Sequence, residues 1–182
     1  MRLSVLLAAV VASVGLAACN PALNWREVRA DTTELVALLP CKPDRGARAV
    51  SLGGQAVQLQ MVGCEAGGAT FAVSHATLAD GAQAQAALAQ WREVTLKNLR
   101  AVPAVPAAAR DVPFAPKGAM ALPGSVRVTA QGQRPEGGAV SAQAVWFARA
   151  TPTGVQIFHA VIYAERMAPE AAETFFAGLK FP

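Results

Sequence analysis

Three glycine pairs, Gly53-Gly54, Gly67-Gly68 and Gly137-Gly138, punctuate this chain, and each lies between two runs suited to extended backbone. Paired glycines supply the positive-φ positions that a tight hairpin requires. Because they stand between strand and strand, and not between a strand and a helix, they are turns and not phosphate cradles. Hairpins in place of alternating βαβ units imply an antiparallel sheet.

The runs between the turns complete that picture. Glu34 to Leu39 reads as a strand ending at Pro40, and Cys41-Lys42-Pro43-Asp44 is turn chemistry. Arg48 to Leu52 is a short strand. From Ala56 to Gly63, Val57, Leu59 and Met61 alternate with Gln58 and Gln60, the pattern of a half-buried strand. Ala69 to Leu78 follows as another strand. Asp80 to Arg100 is the longest helical pattern, capped by Asp80, with Ala84, Leu88, Trp91, Thr95 and Leu99 near one face. Prolines 103, 106, 113, 116 and 123 exclude a helix from residues 101–124 and leave room for a short edge strand around Val112 to Phe114. Strands are predicted at Ser125 to Gln131, Ala139 to Arg149 and Gly154 to Tyr163. A last helix starts at Pro169, with Phe175, Phe176 and Leu179 as its apolar face and Gly178 near its end. The expected fold is α+β: an antiparallel sheet of six to seven strands, one face covered by the long helix and the C-terminal helix.

The first residues carry an address. Arg2 precedes an apolar stretch from Leu3 to Leu16, and Leu16-Ala17-Ala18-Cys19 closes it. This is a secretory layout, too short and alanine-rich for a secure membrane span, and its end resembles the lipobox of Gram-negative lipoprotein precursors. Small residues before the cysteine give a peptidase access to the backbone, and the thiol of Cys19 is the nucleophile that takes up diacylglycerol. The resemblance implies cleavage after residue 18 and three fatty-acyl (palmitate-type) chains on Cys19. Asn20, in place of aspartate, implies the outer membrane, periplasmic face. Residues 1–18 then form the signal peptide, 19–31 a lipidated tether touching the domain through Trp25 and Val28, and 32–182 one periplasmic domain.

Charge excludes one class of partner. Charged residues make up 15% of the chain, with Lys+Arg at 16 and Asp+Glu at 12. Loss of Arg2 with the signal peptide lowers the net charge from +4 to +3. These charges are scattered, with no basic stripe to bind nucleic acid.

With Cys19 committed to lipid, Cys41 and Cys64 remain as an even pair in an oxidising compartment, which points to a disulfide between them. Two free thiols or a redox pair are the alternatives, though a redox pair ordinarily shows Cys-x-x-Cys, absent here.

Candidate chemistry is sparse. His75 and His159 are the only histidines. On neighbouring strands their imidazoles could approach and hold a metal ion, but Glu65 and Asp80 lack any ligand spacing, and two buried, hydrogen-bonded histidines is the plainer reading. Ser74 and His75 are adjacent on a strand and so point to opposite faces, which rules them out as a nucleophile–base pair. No Gly-x-Ser-x-Gly elbow is present. Most aromatics are expected in the core, while Trp91 and Trp146 are the candidates to line a ligand cleft between sheet and helix.

The order of elements, with the Leu-Pro-Cys-Lys-Pro turn at residues 39–43, the strand FAVSHATL at 71–78 and the terminal FFAGLKF at 175–181, resembles the photosystem extrinsic protein PsbP and its small periplasmic relatives over residues 32–182. That resemblance implies an accessory or assembly role, no catalytic residues and no cofactor. The leading expectation is a non-enzymatic envelope lipoprotein acting as an adaptor for another envelope protein. The second is a carrier or sensor domain for a small ligand, which a deep apolar pocket would favour.

Overall fold

All six paired glycines have positive φ, and the chain reverses at each pair. The computed structural model describes residues 22–101, 111–134 and 136–182. The signal segment, Cys19 and prolines 103, 106 and 135 lie outside the described residues. Strands β1 (Arg26–Arg29) and β2 (Val36–Leu39) form a ribbon. Strands β3 (Asp44–Leu52), β4 (Gln55–Ala66), β5 (Ala69–Leu78), β6 (Asp111–Pro113), β7 (Val126–Gln133), β8 (Ala139–Thr151) and β9 (Gly154–Ala164) form an antiparallel sheet of seven. Its order is β3-β4-β5-β9-β8-β7-β6. Helix α1 spans Ala84–Asn98 and α2 spans Pro169–Ala177. The expected antiparallel sheet with two helices is therefore present.

The two helices do not share a face. Helix α2 and the β1–β2 ribbon pack on Phe71, Val73, Phe147, Phe158 and Ile162, whereas α1 packs on Ala76, Trp146, Ala148 and Ile157. The reason lies in the central strands. β8 places Val145 and Phe147 on one side and Trp146 and Ala148 on the other, and β9 is equally two-sided. A sheet apolar on both faces requires a cover on each.

The domain also begins earlier than residue 32. β1 lies inside the stretch assigned to the tether, hydrogen-bonded along its length to β2. Val28 is buried there, and the ring of Trp25 meets Phe71 edge-on at 5.9 Å. Cys41 and Cys64 are disulfide-bonded with Cα atoms 6.0 Å apart, which ties the end of the ribbon to β4.

Asp80 caps a 3₁₀ turn, Gly81–Gln83, by accepting from the Ala82 N–H at 3.0 Å, and α1 follows directly. Ala84, Ala87, Leu88 and Trp91 are its buried residues. The Thr95 hydroxyl bonds back to the Trp91 carbonyl at 2.8 Å, so the apolar stripe weakens in the last turns. There the helix stops covering the sheet.

Candidate functional site: a cleft beside helix α1

Where the stripe of α1 fades, the sheet beneath it carries small residues. Thr70, Ala72 and Ser74 of β5 lie on that face and leave space above the strand. The result is a half-open cleft of about 600 Å³, within the range of small-molecule sites, about 300–1,000 Å³. Trp91, Thr95 and Asn98 of α1 form one wall, and Arg48, Leu59 and Met61 of the β3–β4 hairpin form the other. His159, Val161 and Tyr163 of β9 complete the floor, with Arg134 and Glu136 at one end. Met61 is 50% exposed although it sits on a long paired strand, because its side chain faces this opening.

His159 is the centre of the floor. It lies opposite Ser74 on β5 and Trp146 on β8, so all three project from the same side of the sheet. Its ring stacks on Trp146 with centroids 4.8 Å apart and meets Trp91 at 5.3 Å. Burial pushes the imidazole pKa down to about 3, so the ring is neutral at any physiological pH. Its Nε2 has no hydrogen-bond partner among the described residues, and neither has the Trp146 Nε1 beneath it. Burial also raises the Tyr163 phenol above its usual range.

The structure redistributes the candidates. Trp91 lines the cleft. Trp146 does not: it is 0% exposed and acts from below, as the platform on which His159 rests. His75 and His159 sit on neighbouring strands, but His75 pairs with Phe158 and points to the opposite face, so the two imidazoles cannot share a metal ion. Burial lowers the His75 pKa, opposed by nearby Asp31. Among the described residues no group of three or more His, Cys, Asp or Glu is placed to hold a metal.

The neighbours Ser74 and His159 were not visible as a pair in the sequence, since only the β5–β9 register brings them together. Their chemistry is hydrogen bonding. A general base works best with a pKa near the operating pH, and a histidine at about 3 is far too weak to activate a serine hydroxyl.

The buried imidazole has a consequence for stability. The unfolded chain takes up a proton on this histidine below about pH 6.5, while the folded chain resists until about pH 3. Between those values the unfolded state binds more protons, so stability falls as pH falls. From His159 alone the loss between pH 7.5 and pH 5 should be about 2 kcal/mol, and His75 shifts in the same direction. Urea unfolding at the two pH values measures it. His159→Gln should remove most of the difference, and an unchanged difference would place the titrating group elsewhere.

No family model, no curated protein and no solved structure matches this chain significantly.

Proposed function

We propose that this chain is a lipid-anchored envelope domain that holds a small, mostly apolar ligand in the cleft beside α1, as a carrier or sensor. The cleft itself carries the reading: apolar walls from Leu59, Met61 and Trp91, and a floor of Val161 with a few neutral hydrogen-bonding groups, Ser74, His159 and Tyr163. That combination suits a ligand with an apolar body and a hydroxyl or carbonyl. The exposed methionine adds an adaptable wall. An adaptor would be better supported by a broad exposed apolar patch. Among the described residues the large exposed apolar side chains are Met61, Val94 and Val112, on three separate elements, and Met61 belongs to the cleft. The anchor rests on the lipobox and Cys19; the likeness in layout to PsbP-like proteins agrees with a non-enzymatic role.

The test is titration of the full-length protein with N-phenyl-1-naphthylamine, a neutral apolar fluorophore. Saturable one-to-one binding is expected, weakened at least about tenfold by Ala72→Phe or Thr95→Trp, each of which puts bulk into the cleft. Binding that is absent, or indifferent to both substitutions, would rule the cleft out as a ligand site. In cells, Cys19→Ala should leave an unlipidated protein of precursor size, read by its mass, with fluorophore binding intact, which separates anchor from cleft.

A further inference from the structure

The two edges of the main sheet are built differently. β6 closes one side with three residues, the last of them Pro113, which has no N–H to offer. β3 closes the other with nine residues, and among the described residues nothing pairs with its outer side. Every residue from Asp44 to Ala49 is exposed, so among the described residues this edge is left uncovered. A long open edge is a template for another strand unless something blocks it.

The charges on β3 select a partner. Arg45 is already engaged with Asp31 of its own chain at 2.8 Å. Asp44 and Arg48 form no ion pair among the described residues. They lie on one face of the strand with Gly46 between them, too far apart along an extended backbone to reach each other. A second copy laid antiparallel, with Gly46 opposite Gly46, places Asp44 of each chain opposite Arg48 of the other. A two-fold axis moved to Ala47 loses both pairs, because Asp44 then opposes Val50 and Arg48 opposes Gly46. A Cβ built at Gly46 meets nothing within 4 Å, so the approach at the axis is open.

We propose that β3 pairs with β3 of a second copy in this register, joining two seven-stranded sheets into one. The ladder is short, well below the roughly 1,200 Å² buried by a stable interface. It is therefore a weak association, favoured by local concentration such as a shared membrane surface provides. Arg48 also lines the cleft, so pairing brings a carboxylate of the second copy to the cleft rim.

Residue 46 alone opposes itself in this register, at a Cα separation of about 4.5–5.5 Å, which a disulfide can span. Purified full-length protein carrying Gly46→Cys should form a cross-linked dimer on mild oxidation, while Ala49→Cys should not. Adding Arg48→Asp to Gly46→Cys sets like charges opposite each other and should slow cross-linking about tenfold. Adding Asp44→Arg as well should restore it. Equal cross-linking at positions 46 and 49 would overturn the register. A charge reversal without effect, or a wild-type chain that sediments as a monomer at its highest soluble concentration, would overturn the self-pairing. A monomer would leave the edge open to an extended segment of another protein instead.

Discussion

Replacing Trp146 with alanine should lower the unfolding free energy by about 3–5 kcal/mol, the usual cost of truncating a large buried aromatic. The side chain is wholly buried, lies on the α1 face of β8 and supports the ring of His159. Its removal deletes the packed area and leaves a void under the cleft floor that the paired strands on either side cannot collapse to fill. Trp146→Phe should cost much less. It keeps an aromatic platform and removes an indole N–H that has no partner among the described residues, and an unpaired buried donor itself costs about 1–3 kcal/mol. Urea denaturation of the two variants decides the matter. A cost below about 1 kcal/mol for alanine would mean that the centre of the sheet is not packed as described. Fluorophore binding supplies a second readout, because an unsupported His159 should weaken the ligand site even where the fold survives.

Loss of the Cys41–Cys64 bond should cost about 3 kcal/mol, the chain-entropy value for a closed loop of this size; the two cysteines are 23 residues apart. The bond does more than shorten a loop. The β1–β2 ribbon is separate from the seven-stranded sheet in its backbone pairing. It is held to the rest of the domain by side-chain packing, by ion pairs of Glu27, Asp31 and Glu34 with Lys180, Arg45 and Arg149, by the backbone bridge between Val36 and Lys180, and by the disulfide to β4. The double variant Cys41→Ala, Cys64→Ala avoids a stray thiol and should unfold at lower urea than the oxidised protein, matching wild type after reduction. The contact of Trp25 with Phe71 should loosen first, visible as a shift in tryptophan emission before global unfolding. Equal stability of oxidised and reduced protein would show that packing alone holds the ribbon.

Much of the fold was legible because its signals are local. Ala69–Leu78 is a strand from end to end as predicted, the paired glycines turn, Pro169 starts α2, and the short edge strand forms among prolines as β6. β3 and β4 run longer than predicted, since cross-strand pairing extends a strand past the point where its own pattern fades. β1 was hidden because four residues with one buried side chain give almost no periodic signal; the pairing with β2 creates it.

The candidate site was only partly legible, for a different reason. Trp91 could be picked out as an aromatic on a helix face, and it does line the cleft. Trp146, on a strand facing that helix, is equally a candidate by sequence, but it is the layer below. Ser74 and His159 meet because β9 inserts between β5 and β8, and strand order has no local signature.

Local chemistry sets where the chain turns, which segments extend or coil, and that Cys41 pairs with Cys64. Each of these follows from a residue's own backbone preference or from a count of thiols. Long-range pairing sets the rest: the sheet is covered on both faces, the two histidines look away from each other, and a cleft remains where α1 runs out of apolar residues. Those outcomes depend on strand order and on the parity of side chains across a ladder, and both arise from pairing between segments far apart in the chain.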